Sequence, residues 1–228
     1  MVQQAVAQAR ALDHPQPLAF ALLFEIFAHL ARRSPRDVQR TYEQLAVVCH
    51  AHGIAQEVQW AAPLCGRAFI ELGDSQRGLR VIEEGIAAHT ITRSALLRPY
   101  YFIMLAGALL RSGHLDRAQR ALDQAADVAN STSQHAYDAE YERLQAEVHS
   151  AIGNHAAAES SFLRALETAR HQGARWLELR ASRGYAHFLV GHGRLDEARA
   201  LLQPICAAIT EGHSTLDYVY AEALLKTL

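Results

Sequence analysis

"AIGNHAAAESSFLRALETARHQGA", residues 151–174, decides the fold. It reads as a helix end, a tight turn and a new helix. Gly153 is followed five residues later by Ala158, then by Phe162 and Ala165. A glycine just past a helix C-terminus takes the left-handed backbone at least cost. A small residue early in the next helix lets two antiparallel helices approach closely. A large residue beyond it fills the groove.

The pattern recurs with a period of forty. Gly73, Gly113, Gly153 and Gly193 are forty residues apart, and one more step back reaches Arg33 in "RRSPRDVQRTY". Five residues after these anchors come Val38, Gly78, Ala118, Ala158 and Ala198. Nine after come Tyr42, Ile82, Leu122, Phe162 and Leu202; seven before come Ile26, Gly66, Ala106, Ala146 and Ala186. Ser34, Asp74 and Asn154 suit helix N-caps, and Pro35 suits a first helical position. Second helices should end near residues 51–53, 87–90, 128–133, 170–173 and 210–214.

These spacings predict five helix pairs over residues 14–53, 54–93, 94–133, 134–173 and 174–213, with half-repeats at 1–13 and 214–228. The expectation is an all-α, right-handed solenoid of twelve helices, forming a single domain over residues 1–228. Pro63, Pro99 and Pro204 fall inside predicted helices and should kink them or mark a late start. "MVQQAVAQARAL" carries an apolar stripe and no polar cap. Its open face calls for cover by a preceding segment, a partner, or a second copy in a homodimer through the uncapped terminal helices.

Composition agrees. Half of the residues are hydrophobic, and Ala, Leu, Arg, Glu and Gln dominate. The 22 Lys and Arg nearly balance 24 Asp and Glu, so the charge speaks against a nucleic-acid partner. Cys49, Cys65 and Cys206 are an odd set in apolar helical runs, which predicts buried reduced thiols. No apolar run reaches the roughly 18 residues of a membrane span. "PLAFALLFEIFAHLA" is interrupted by Glu25 and His29, and "MVQQAVAQAR" is no signal peptide. The expected location is cytoplasmic, without membrane association.

"IGNHAAAESSFLRAL" resembles the turn and second helix of tetratricopeptide repeats, and "SGHLDRAQRALDQA" and "HGRLDEARALL" match nearly as well. The resemblance covers almost the whole chain, most weakly its first forty residues. The period of forty exceeds the family's usual 34, and no proline closes each second helix, as longer helices would explain. "LLRPYYFIMLAGALLRSGHLDRAQRALDQA" and "EGHSTLDYVYAEALLKTL" further resemble the C-terminal helical region of large bacterial signalling proteins. In those, a cyclase, kinase or DNA-binding module is joined to a regulatory ATPase and then to such repeats. This implies a sensor or interaction arm. No phosphate-binding Gly-x-x-x-x-Gly-Lys-Ser/Thr loop occurs in the sequence.

Catalytic signatures are missing as well: there is no Gly-x-Ser-x-Gly, His-Glu-x-x-His or Cys-x-x-Cys. His114, His155 and His192 each sit beside an anchor glycine and read as turn histidines in water. Carboxylate runs such as "DAEYER" (138–143) read as solvated helix faces with local pairs. The sequence thus predicts no enzyme, no cofactor and no metal.

The resemblance places inward-facing positions 13, 10, 6 and 3 residues before each anchor. These are Phe20, Leu23, Phe27 and Leu30; Trp60, Pro63, Arg67 and Ile70; Tyr100, Ile103, Gly107 and Leu110; Glu140, Arg143, Glu147 and Ser150; and Arg180, Arg183, His187 and Val190. A groove apolar at one end and charged at the other suits an amphipathic peptide. The expected partner is a protein or peptide in the concave groove. Candidate contacts are Trp60, Arg67, Tyr100, Glu140, Arg143, Glu147, Arg180, Arg183 and His187. The alternative is a small-molecule effector sensor using Arg67, Arg143, Arg183 and His187.

Overall fold

The computed structural model describes residues 2–12, 14–91 and 96–228. The described residues form twelve α-helices and no strand. In chain order they are α1 (Val2–Ala11), α2 (Pro15–Ala31), α3 (Pro35–His52), α4 (Gln56–Glu71), α5 (Ser75–Ile91) and α6 (Arg98–Arg111). Then follow α7 (Leu115–Thr132), α8 (Asp138–Ala151), α9 (His155–His171), α10 (Arg175–Gly191), α11 (Leu195–Ala207) and α12 (Leu216–Thr227). The expected repeat boundaries at 13/14 and 93/94 touch residues outside the described set.

The turns repeat more often than the anchors do. Arg33, Gly73, Gly113, Gly153 and Gly193 all have positive φ, between 53° and 97°. So do Gly53, Ser133 and Gly173, which close the second helices α3, α7 and α9, and Gly212, in the connection after α11. Among the described residues, left-handed positions therefore recur about every twenty residues from Arg33 to Gly73 and from Gly113 to Gly212, with Leu97 at the start of α6 in addition. At seven of these turns the next amide reaches five residues back, as in Asn154 N–H to the His149 carbonyl at 2.8 Å and Arg194 N–H to the Leu189 carbonyl at 3.0 Å. This bond satisfies a carbonyl that the helix end would otherwise orphan.

Local capping follows in part. Asn154 Oδ1 accepts from the Ala157 amide and Asp74 Oδ1 from the Arg77 amide. Ser34 makes no such bond, although Pro35 does open α3. Pro99 sits in the first turn of α6, a late start, while Pro63 and Pro204 lie inside α4 and α11. α11 ends at Ala207, three residues beyond Pro204 and short of the expected 210–214.

Contacts divide the chain into two compact units, residues 1–113 and 114–228. In the first, consecutive helices pack as antiparallel neighbours, and the first helices α2, α4 and α6 also lie side by side. Gly66 on α4 faces Gly78 on α5: a Cβ on Gly78 would lie 2.5 Å from the Gly66 carbonyl oxygen. Gly85 similarly leaves room for Pro63, whose Cγ would lie 2.6 Å from a Cβ there. In the second unit, Ala146, Ala158, Ala186 and Ala198 are all fully buried in one core. Phe162 stacks on Tyr185 at 5.5 Å in that core. The first helices α8, α10 and α12 again lie side by side. All three cysteines are free and buried, and burial pushes the Cys65 thiol up to about 12.

Candidate partner-binding surface

In the second unit, residues expected to meet a partner meet each other. Arg143 on α8 donates from Nε to Glu140 Oε2 at 2.8 Å and from Nη2 to Glu140 Oε1 at 3.0 Å. Its Nη1 donates to Glu147 Oε1. Arg180 on α10 donates to the same Glu140 at 3.2 Å. It also reaches Asp217 on α12, through Nη2 at 2.7 Å and Nε at 3.2 Å. Arg183 Nη1 lies 3.6 Å from Asp217 Oδ1.

Three guanidiniums thus face three carboxylates, and the formal charge cancels. Arg180 and Asp217 are only 4% and 5% exposed. Burial alone would make the guanidiniums of Arg143 and Arg180 easier to deprotonate. The adjacent carboxylates, Glu140 and Glu147 for Arg143 and Glu140 and Asp217 for Arg180, outweigh it and raise both. Glu140, Arg143 and Arg180 therefore form a floor, with little left for a ligand to recognise. His187 stands exposed beside it, and its imidazole is held below the ordinary histidine value by desolvation and by Arg183. Glu147 and Arg183 keep partial access, and the Arg183 guanidinium lies 5.6 Å from the exposed Tyr220 ring.

In the first unit, Trp60 is half-buried, and its carbonyl accepts from the Tyr101 hydroxyl at 2.9 Å. Arg67 is held by Glu71 at 3.2 Å. Tyr100 is buried at 6% exposure, so it does not share an open surface with Trp60 as their common repeat position suggests. Leu23 and Leu30 are likewise core. The open apolar face of α2 is instead Phe20, Phe24 and Phe27, spaced four and three residues apart along one side of the helix. Phe20 and Phe24 are 48% and 50% exposed. Their rings meet edge-on at 4.9 Å, and Phe24 and Phe27 lie 6.1 Å apart.

Two of these residues escape the sequence reading. Phe24 falls between the inward positions that the repeat dictates. Asp217 occupies a helix-start register where Leu97, Tyr137 and Leu177 stand in the three preceding repeats. An acid at an otherwise apolar register was the available signal; Glu57, also buried, shares it and accepts from Gln16 Nε2 at 2.6 Å.

The second unit also holds a cavity of about 690 Å³ between the α9–α10 turn, the start of α10 and the α11–α12 connection. Trp176, Leu179, Ile209 and Tyr218 supply its apolar wall, with Arg175 and Glu211 at the polar side. Among the described residues no group of three or more His, Cys, Asp or Glu side chains is placed to hold a metal. No described helix is long and apolar enough to cross a membrane.

Among solved structures the chain resembles BtubC (BKLC) from P. vanneervenii. The match has a TM-score of 0.56 and 15% identity, and covers 99% of this chain and 89% of that one. At that identity the likeness shows the all-helical fold alone. No family model and no curated protein matches the chain.

Proposed function

We propose that this chain is a tetratricopeptide-like, non-enzymatic binding module for a protein or peptide, acting as a regulatory or scaffolding part of a bacterial signalling system. The observation that carries the binding reading is the phenylalanine ladder of α2. Half-exposed aromatic rings in contact on one helix face are uncommon on a surface with no partner, and aromatic anchors dominate binding energetics. The self-neutralised ionic floor of the second unit supports the same reading, because it leaves shape and apolar contact as the main means of recognition. The signalling context rests on the sequence resemblance.

The test is selection from a displayed peptide library against the full chain, with Phe20→Ser/Phe24→Ser as counter-target. Peptides that bind the parent and weaken by about thirtyfold or more on the double substitution support the proposal, since anchors are worth about 2 kcal/mol or more. Failure to recover any binder, or equal affinity for both chains, refutes it.

The cavity beside Trp176 favours a second reading, a small-molecule effector sensor. Its volume is within the range of about 300–1,000 Å³ usual for such sites. Native mass spectrometry separates the two readings: a retained small ligand lost on Trp176→Ala supports the sensor.

A further inference from the structure

The second unit brings together two of the histidines that flank anchor glycines. His155 opens α9, and His192 immediately follows α10. Both are exposed. Their rings meet edge-on, with centroids 4.5 Å apart and planes at 76°. From this juxtaposition we propose that His155 and His192 form a two-imidazole site for a divalent transition-metal ion, Cu²⁺ or Ni²⁺ in preference to Zn²⁺.

The spacing puts both rings within reach of one ion. With a metal–nitrogen bond of about 2.0–2.1 Å, each ring centroid lies about 3.2 Å from the metal, so two ligating rings stand about 4.5–5.2 Å apart between the square and the tetrahedral angle. The observed 4.5 Å lies in that range. A site of two imidazoles completed by water suits the tetragonal preference of Cu²⁺ and Ni²⁺, and Cu²⁺ binds such nitrogens most tightly of the first-row divalent ions.

The surroundings prepare the nitrogens. His192 Nδ1 lies 2.7 Å from the Phe188 carbonyl oxygen. That bond assigns the proton to Nδ1, which donates to the carbonyl, and leaves the Nε2 lone pair available. Metal-bound histidines are normally oriented by a second-shell bond of this type. Among the described residues the His155 ring has no hydrogen-bond partner, so either nitrogen can turn to a metal. The Phe188 ring, 4.3 Å from His192 and 6.1 Å from His155, closes one side.

Charge also matters. The α10 C-terminus beside His192 favours a cation, while the α9 N-terminus beside His155 opposes it. Nearby, the single Arg194 guanidinium is shared by two carboxylates, Glu159 and Glu197, each at 2.7 Å. One negative charge is left over, and it favours the cation. Glu159 lies one turn along α9 from His155, but its Oε1 accepts from Tyr185 and Arg194, and among the described residues no group of three or more His, Cys, Asp or Glu side chains is placed to hold one ion. The protein would therefore supply two nitrogens, and water would fill the remaining positions.

The test uses the tag-free full chain, titrated calorimetrically with Cu²⁺ and with Ni²⁺ at neutral pH. One ion per chain should bind, and His155→Asn or His192→Asn should each weaken it at least tenfold. His114→Asn, another turn histidine, should change affinity less than twofold. Electron paramagnetic resonance of the Cu²⁺ complex should report two imidazole nitrogens in the parent and one in either variant. Both substitutions are at exposed positions, and circular dichroism checks that they fold. Absence of binding, equal affinity in the His192→Asn chain, or a single nitrogen in the parent spectrum overturns the site.

Discussion

Replacing Asp217 by alanine should destabilise the second unit far more than an ordinary surface change. In the native network three arginines face three carboxylates. Asp217→Ala removes both of the Arg180 bonds to α12, at 2.7 and 3.2 Å, and the nearby partner of Arg183. Arg180 then has only Glu140, which Arg143 already engages twice. One surplus positive charge remains where Arg180 is 4% exposed. Breaking a buried pair from one side costs about 3–5 kcal/mol, mostly through the charge left behind. With a urea slope of about 2 kcal/mol/M, the midpoint should fall by about 2 M. Trp176 is the local probe, because the Arg180 guanidinium lies 4.6 Å from its ring. Trp60→Phe removes the other tryptophan signal. The double variant Arg180→Met/Asp217→Leu should return to within about 1 kcal/mol of the parent, since replacing a buried pair by apolar groups is often neutral. A loss below about 1 kcal/mol for Asp217→Ala, or a double variant as unstable as the sum of the singles, would refute the reasoning.

Other changes probe the fold more locally. Gly78→Ala forces a methyl to within 2.5 Å of the Gly66 carbonyl oxygen and 2.4 Å of Ile70 Cγ1, so it should cost about 1–3 kcal/mol by urea denaturation. Ser133→Gly should stabilise by about 0.5–1 kcal/mol in the same assay, because Ser133 already holds a φ of 53° that glycine adopts without strain. His89 is buried against the Tyr101 ring, and burial lowers its pKa, with Arg98 adding to the effect and a hydrogen bond that the imidazole donates to the Gln59 backbone opposing it. The unfolded chain therefore takes up the proton first. The stability held by neutral His89 is complete above about pH 6.5 and declines as pH falls, by at most about 1.4 kcal/mol per pH unit. Between about pH 6.5 and 5, His89→Phe should flatten the stability curve measured by urea titration.

The helix pairs were legible in the sequence because each depends on a short span of chain. A left-handed turn, a cap and a close helix approach are all set within about one helix of one another. Hence Gly153, Ala158 and Phe162 revealed their own roles, and Gly66 and Gly78 their facing approach. The second-helix ends show less plainly than the anchors as a glycine period, because Ser133 holds left-handed backbone without being glycine and Gly212 stands one residue off the step. The candidate surface was less legible. Glu140, Arg180 and Asp217 are 40 and 37 residues apart, so only the packing of α8, α10 and α12 could turn inward-facing charges into a closed network. The same packing left Phe20 and Phe24 open on α2 and joined His155 to His192. What the chain determined alone was periodicity, since hydrogen bonds and sterics act along neighbouring residues. What tertiary structure decided was which polar groups are spent on each other and which remain to meet a ligand, since burial depends on what a neighbouring helix places above them.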